Sequence, residues 1–336
     1  MADLDRRTVL AALGGAGGAL MLPGLGGGSL AFAQDKIYKW GSSSLGSTGY
    51  QIIAVLAQAA TKNSKQRHTS LATAGGSENM ALLREKQIDF GQTTSTDWEP
   101  AIKGTGKFKG KPVPAVQMFA YTIWQCTPMV RADSPIKSLE DLKGKRVMPT
   151  TAGGATNGLF QALFKAIGIS DKVNYTYGSW KETYDAFAAG AVDCIPTLLT
   201  AGNPSGTLKK LTTTHKVRIL PVTPELIKKA QAINPGVMSF TVDPKTFPSI
   251  DKPTLMLSFG GVAATRADAP KELVYSVVKA IFENTDYVQK TGGVALKDVR
   301  LDFATKYLID SYPVHAGAAQ YFKEKGVWRE GLKIAG

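Results

Sequence analysis

From Lys36 onward, short apolar runs alternate with longer amphipathic runs, and this alternation limits the fold more than any other feature of the sequence. The run KIYKW predicts a first strand. The run GYQIIAVLAQAATKNS predicts a first helix, because Ile52, Leu56 and Ala60 recur at helical spacing. Strands that alternate with helices in this way are typical of α/β domains with a mainly parallel sheet. The sequence therefore predicts an α/β fold.

The alternation occurs twice along the chain. Each half contains a strand, a turn rich in Gly, Ser and Thr, a helix, a second strand and a helix with a serine at its start. Ser77 and Ser179 are the predicted caps of those later helices. The extended run VQMFAYTIWQCTPMVR joins the two halves. Two similar lobes that face each other are the simplest account, with their turns opening into the cleft between them.

Residues 1–33 have the three-part layout of an export signal and are expected to be removed after Ala33. Arg6 and Arg7 precede a weakly apolar, glycine-rich stretch, and the run AFA forms an A-x-A cleavage site. The paired arginines favour the twin-arginine route. A membrane anchor is the alternative, but glycines and Pro23 interrupt the ~20 apolar residues that a span needs.

The chain of 336 residues carries a formal net charge of +13. A basic surface fits nucleic acid, an anionic membrane surface or small anions drawn in by the field. Because the lysines are scattered rather than clustered, a nucleic-acid partner is not expected. Segments after the signal are too short or too polar to span a membrane, so we expect contact with the membrane only through a partner protein.

The first turn, GSSSLGST at residues 41–48, is one residue away from a phosphate-binding loop. Ser47 stands where that loop requires a lysine, so we expect neither nucleotide nor other cofactor. A turn between a strand and a helix N-terminus still offers free backbone N–H groups to an anion. The alternative is that its serines only cap the helix.

Four more clusters of small polar residues follow predicted strands. They are TAGGSENM at 73–80, TTST at 93–96, TTAGGATNG at 150–158 and TLLTAGNPSGT at 197–207. Hydroxyl and glycine turns that recur at strand ends suit a ligand held by many hydrogen bonds. The clusters therefore favour a binding cleft.

The sequence contains little that points to catalysis. None of the three histidines lies in a nucleophile or zinc motif, and no pair of carboxylates is marked as acid and base. Cys126 and Cys194 lie in apolar runs, where a disulfide and two buried thiols are equally consistent with the sequence. We expect no catalytic residue, no metal site and no enzyme activity.

The sequence resembles the TAXI subfamily of solute receptors of tripartite (TRAP) transporters through most of the chain after the signal. The resemblance rests on GSSSLGSTGY, GGSENMALLREKQIDFGQTTSTD, SLEDLKGKRVMPTTAGGATN, YDAFAAGAVDCIPTLLTAGNPSGTLKKL and YPVHAGAAQYFKEKGVW, in this order. The last run is similar to the family's H-P-G-A-x-x-Y-Y-K-E-K-G ending, with Ala316 at the proline and Phe322 at the second tyrosine.

The resemblance implies a two-lobed periplasmic-binding-protein fold of type II-like form, with hinge strands and a C-terminal helical segment. Lobe 1 would comprise residues 36–125 and 260–300, and lobe 2 residues 126–259. Helices in 301–336 would pack across both. Such a protein closes on a small organic anion, such as glutamate, a 2-oxoacid or a dicarboxylate, and delivers it in the periplasm to the TRAP membrane permease.

The resemblance also implies which residues contact the ligand. In the first lobe they are Ser43, Ser47, Thr48, Tyr50, Ser77, Glu78, Asn79, Thr94 and Ser95. In the second lobe they are Thr151, Gly154, Ala155 and Thr156, and Trp180 could stack on the body of the ligand.

Three other functions use the same features. A sensor would dock its closed form on a membrane kinase, and an exported enzyme on this fold would need an ionisable group with a perturbed pKa in the cleft. A surface protein that binds polyanions through its basic face would lose binding steeply with salt.

Overall fold

The computed structural model describes residues 36–43, 45 and 47–336, so the predicted export signal lies outside the described residues. The strands are β1 (Ile37–Gly41), β2 (Arg67–Leu71), β3 (Phe90–Thr94), β4 (Ala115–Gln125), β5 (Pro128–Arg131), β6 (Arg146–Val147), β7 (Asn174–Tyr175), β8 (Cys194–Pro196), β9 (Leu199–Thr200), β10 (Asn203–Pro204), β11 (Val217–Ile219), β12 (Met238–Val242) and β13 (Thr254–Arg266). The helices are α1 (Thr48–Asn63), α2 (Gly76–Arg84), α3 (Trp98–Ile102), α4 (Ala155–Ala166), α5 (Trp180–Ala188), α6 (Gly206–Thr214), α7 (Pro224–Ile233), α8 (Lys271–Phe282), α9 (Thr285–Gly292), α10 (Leu301–Ala304) and α11 (Ala316–Glu324).

The first sheet has the order β10-β9-β4-β13-β3-β1-β2, and β12 pairs with β13. Strand β1 runs parallel to β2 and β3, so the carboxyl ends of these three strands lie at one edge of the sheet. Strand β13 runs antiparallel to both β3 and β4. Every residue of β3 and β4 is buried, as expected for strands covered on both faces.

The second sheet has the order β11-β5-β8-β6-β7. Strand β6 is parallel to β7 and β8, and β5 joins them antiparallel between β8 and β11. Helix α4 follows β6 and helix α5 follows β7, which repeats the strand-helix order of the first sheet. The predicted α/β fold with two strand-helix units is confirmed.

The junction between the sheets is a row of three hydrogen-bonded segments. The chain passes from β4 to β5 at Cys126 and Thr127, where the predicted extended run divides into two strands. The Thr127 N–H donates to Thr197 Oγ1 (3.0 Å), and the Leu257 N–H donates to Thr127 Oγ1 (2.8 Å). The Thr197 N–H donates to the Thr127 carbonyl (2.9 Å). One threonine thus ties the β4–β5, β8–β9 and β13 segments together.

Strands β9, β10 and β12 lie within residues 126–259 of the sequence, yet they pair with the first sheet. The helices near the C-terminus pack on that sheet's side as well, since α11 contacts α8 and β4, and α10 contacts β4. The exact division of the chain into lobes stays a prediction.

Local signals explain where several helices begin. Ser47 caps α1 by accepting the Tyr50 N–H (3.1 Å), and Ser179 forms a capping box with Glu182 at α5. The predicted cap at Ser77 is wrong, because α2 begins one residue earlier and its N-cap is Gly75. Gly75 has a φ of 114°, a conformation that a residue with a side chain rarely adopts.

Helix α1 buries the apolar face that the sequence predicts, with Ile52, Ile53 and Leu56 fully enclosed. Within the described chain both cysteines are buried and free, so they form no disulfide. No helix among the described residues combines the length and apolar character that crossing a membrane requires.

Candidate functional site

The turns after β1, β2 and β3 form one wall of a cleft. Asn79 on α2 holds them together, because its Nδ2 donates to the Ser42 carbonyl (2.7 Å) and to the Gln92 carbonyl (2.8 Å). The hydroxyl of Thr73 also donates to the Ser42 carbonyl (3.0 Å). Asn79 is fully buried, so these bonds are shielded from water. Asn79 is a predicted ligand contact, and the structure gives it this framework role in the wall.

A buried carboxylate organises the third turn of this wall. Asp97 accepts hydrogen bonds from Ser77 Oγ (2.7 Å), from the Thr94 N–H (2.8 Å) and from Thr94 Oγ1 (2.7 Å). Gly76 lies so close that a Cβ there would stand 2.0 Å from the carboxylate, so a larger residue would displace it. The hydroxyl hydrogens of Ser77 and Thr94, both predicted ligand contacts, are therefore committed to Asp97.

The opposite wall is the turn that leads from β6 into α4. Gly154 is the N-cap of α4 and has no side chain to satisfy the first N–H groups of the helix. Thr151 is exposed, whereas Thr156 is buried beside the Cys126 thiol at the junction. An uncapped helix N-terminus presents N–H donors and a positive dipole end, which favours an anion.

The two walls are in contact. Lys107, from the loop after α3, donates to the Gly153 carbonyl (2.8 Å), and Thr96 Oγ1 lies 3.5 Å from the Ala155 carbonyl. Asn234 Nδ2 donates to the Thr96 carbonyl (3.0 Å). The structure therefore brings the predicted residues Gly154 and Ala155 next to the third turn of the first wall, as the facing-lobe prediction requires.

Lys107 supplies the positive charge that the turn sequences lack. Much of its side chain is exposed, but desolvation around the ammonium lowers the pKa of Lys107, and the nearby Asp97 carboxylate opposes that shift. An ammonium that has lost part of its hydration gains more from a charged partner than from a carbonyl. Its position suits an anion bound at the start of α4.

The remaining predicted residues take different positions. Ser43 accepts the Thr73 N–H at its carbonyl (3.3 Å), Ser47 caps α1, and Thr48 is the first residue of that helix. Glu78 is exposed and accepts the Ala74 N–H. The Ser95 hydroxyl donates to the Gly236 carbonyl and accepts the Gly260 N–H (3.0 Å), so Ser95 is bonded to the loop before β12 and to β13.

Two predicted aromatic contacts lie at the margins of this arrangement. Trp180 is half-buried at the start of α5 and stacks on Tyr184, with ring centroids 6.0 Å apart. Tyr50 lines an open cavity of about 630 Å³ beside α1, together with Ser70 and Tyr287.

Four residues at the cleft are not predicted from the sequence. Thr96 belongs to the TTST cluster, and Gln92 is an amide inside a buried strand, with an amide oxygen that has no partner in the described chain. A polar residue inside a run that predicts a buried strand is a signal that the sequence provides, because buried polar groups normally need a partner. Lys107 and Asn234 reach the cleft only through long-range contacts, so no local pattern marks them.

Among the described residues, no group of three or more His, Cys, Asp and Glu side chains could hold a metal ion. At the start of α4 the arrangement offers a polar solute the free backbone N–H groups of the helix and the Lys107 ammonium.

The model of the family described as NMT1-like matches residues 41–326. The solved structure of XAC2383 from Xanthomonas citri bound to ATP covers 87% of this chain and 96% of that chain, at 13% identity and a TM-score of 0.53. The periplasmic aliphatic sulphonate binding protein SsuA from Escherichia coli covers 89% and 96%, at 15% identity and a TM-score of 0.48.

A binding protein component of an ABC phosphonate transporter from Pseudomonas aeruginosa covers 78% of this chain and 80% of that chain, at 13% identity and a TM-score of 0.49. At such identities a likeness shows the fold alone. The two-lobed periplasmic-binding-protein fold is confirmed at that level, and the assignment to the TAXI subfamily stays a prediction.

Proposed function

The chain belongs to the NMT1-like family, and we propose that it is a solute-binding protein that captures a small organic anion between its two walls. One observation carries the proposal: the Lys107 ammonium and the uncapped N-terminus of α4 meet at the same turn, where the ammonium lies 2.8 Å from the Gly153 carbonyl. An anionic oxygen at this place would receive a charge-assisted bond and several backbone N–H groups.

The finer proposal is a TAXI receptor that delivers a carboxylate, such as glutamate, a 2-oxoacid or a dicarboxylate, to a TRAP permease in the periplasm. The order of the five sequence runs supports it, and the predicted export signal at residues 1–33 is consistent with it. In this proposal lobe 1 (residues 36–125 and 260–300) and lobe 2 (residues 126–259) close on the ligand by a hinge motion at the junction.

Delivery to an ABC permease is the competing route, because the phosphonate-binding protein is named as a component of an ABC transporter. The two routes differ in their energy source. Uptake into membrane vesicles that contain the permease should follow an imposed ion gradient without ATP if the permease is of the TRAP type. A requirement for ATP hydrolysis would contradict that part of the proposal.

The capture step is tested first by a thermal-shift screen of the purified protein. The panel contains dicarboxylates, 2-oxoacids, amino acids and alkanesulphonates, with ATP as a control. A ligand at 100 times its dissociation constant should stabilise the protein by ~2.7 kcal/mol and raise the melting temperature. Stabilisation by neutral solutes alone would contradict the proposed anion site.

Lys107→Met should then weaken binding of the anion found in the screen by ~10-fold, because one charge-assisted hydrogen bond is lost. Lys109→Met is the matched control, since Lys109 is an exposed lysine of the same loop. Titration calorimetry of the three proteins measures the difference. Equal affinity in wild type and Lys107→Met would place the anion elsewhere.

A further inference from the structure

A second cavity lies on the first lobe, away from the contacts between the two walls. It is an open cavity of about 630 Å³ between α1, β2 and α9, and we call it the outer cavity. Sites for small molecules commonly measure ~300–1,000 Å³. Its floor includes Ala54 and Ala57, whose small side chains leave space beside the aromatic Tyr50.

One wall of the outer cavity carries buried polar atoms with no partner. His68 Nδ1 accepts a hydrogen bond from Trp40 Nε1 (3.1 Å), so the hydrogen of the neutral ring is on Nε2. Burial lowers the pKa of His68 to about 4, which keeps the ring neutral at pH 7. Within the described chain neither His68 Nε2 nor Ser70 Oγ has a hydrogen-bond partner, although both atoms are buried. Both donors lack an acceptor among the described residues and lie just behind the surface of the cavity, so a ligand reaches them only when the lining side chains shift.

The one formal charge in the described lining of the outer cavity is that of Lys62, and the Asp89 carboxylate acts on His68 from outside the lining. The Lys62 ammonium lies 4.4 Å from the centroid of the Tyr287 ring, and both residues line the cavity. Of the described residues that line it, none is Asp or Glu. A ligand can bring the acceptor that His68 and Ser70 lack, and Lys62 favours a negatively charged one.

A small molecule is a better candidate than a peptide strand for the ligand of the outer cavity. Strand β2 is the last strand of its sheet, so its outer edge faces this cavity. The hydroxyl of Thr61 accepts the His68 N–H (2.8 Å) and donates to the His68 carbonyl (3.2 Å). These bonds occupy the main-chain groups that an added strand would need.

We propose that the outer cavity is a second ligand site, which binds a small carboxylate with an apolar body. When the side chains that cover them shift, His68 Nε2 and Ser70 Oγ donate to the carboxylate, which faces Lys62. The apolar body rests on Ala54 and Ala57 beside Tyr50. This site is separate from the one proposed at α4, so either site can fail without the other.

The test uses benzoate and benzamide, which have the same shape but differ in charge. The full-length protein is labelled with ¹⁵N-histidine, and the chain has only three histidines, His68, His215 and His315. Benzoate should shift the His68 Nε2 resonance saturably and leave the other two unmoved. Benzamide should bind at least ~10-fold more weakly, since it lacks the charge that faces Lys62.

Three variants locate the effect. Lys62→Met should weaken the binding of benzoate by ~10-fold. Lys65→Met, at an exposed lysine outside the cavity, should leave the affinity for benzoate unchanged. Ala54→Leu should fill the cavity and abolish the His68 shift. Circular dichroism of each variant checks that it is folded, and Lys62→Met changes only an exposed side chain.

Three results would overturn the proposal. They are the absence of a saturable His68 shift with benzoate, equal binding of benzoate and benzamide, and a His68 shift that survives in Ala54→Leu. The second of these would indicate an apolar groove, and the third would place benzoate elsewhere on the protein.

Discussion

In the first wall of the cleft, buried side chains join the turns, since Asn79 ties the first turn to β3 and Asp97 accepts three hydrogen bonds. In the second wall, the turn at residues 148–154 is held by main-chain bonds, such as Gly178 N–H to the Thr150 carbonyl (3.2 Å). Thr151 is exposed there, and Gly154 leaves the start of α4 uncapped.

From this difference we infer different roles for the two walls in the proposed binding of a solute. The first wall has its hydrogen bonds made before a ligand arrives, so its shape is fixed. The second wall keeps donors unsatisfied, and Thr150 adopts a φ of 73°, a strained conformation for a residue with a branched side chain. Substitutions in the first wall should therefore act mainly on stability, and substitutions in the second mainly on affinity.

Among the variants that test this comparison, Asp97→Ala should have the largest effect on stability. The change leaves the Ser77 hydroxyl and the Thr94 N–H buried without their acceptor and removes one bond of the Thr94 hydroxyl, which should lower the free energy of unfolding by about 3 kcal/mol. Urea denaturation measures the loss. Asp133→Ala, at an exposed carboxylate, is the control and should change little. A loss below about 1 kcal/mol in Asp97→Ala would show that the first wall is not held by this carboxylate.

Acid should weaken the sheet behind the first wall by a smaller amount. Since the pKa of His68 is about 4 when folded and 6.5 for an unperturbed histidine, the unfolded chain binds the extra proton between these pH values. The stabilisation from neutral His68 is complete above about pH 6.5 and is lost as the pH falls towards 4, with a loss of about 2 kcal/mol at about pH 5. Comparing the pH dependence of unfolding in wild type and His68→Phe isolates this contribution. If the free energy of unfolding changed equally with pH in both proteins, a contribution from His68 would be excluded.

The smallest change in stability should follow Thr151→Ala in the second wall. An exposed hydroxyl contributes little, so the free energy of unfolding should stay within about 0.5 kcal/mol of wild type. Affinity for the anion should fall about 3-fold if Thr151 contacts it. Ser77→Ala is the counterpart in the first wall and should lower stability more than affinity. If Thr151→Ala lowered mainly stability and Ser77→Ala mainly affinity, the proposed roles of the two walls would be wrong.

The sequence predicts those parts of the fold that depend on neighbouring residues. Helix α1, the Ser179 cap and the small-residue turns follow from local spacing and capping. The pairing of β9 and β12 with the first sheet depends on partners far along the chain, which no local pattern reveals.

The candidate site shows the same limit. Composition identifies the turns that form it, but Lys107 reaches Gly153 across 46 residues and Asn234 reaches Thr96 across 138 residues. The position of Ser77 before a helical run predicts a cap. In the folded chain α2 already begins at Gly76, so Ser77 lies inside the helix, where its hydroxyl donates to Asp97.

The junction at Thr127 limits how the two halves can move. Three neighbouring segments cross in a row and are bonded to one another through a single threonine, so sliding or twisting one against the next would break those bonds. Bending about the line of the row keeps all of them intact. If the two halves close on a solute as proposed, bending about this row is the motion that keeps its bonds, and the solute enters and leaves on the side opposite the row.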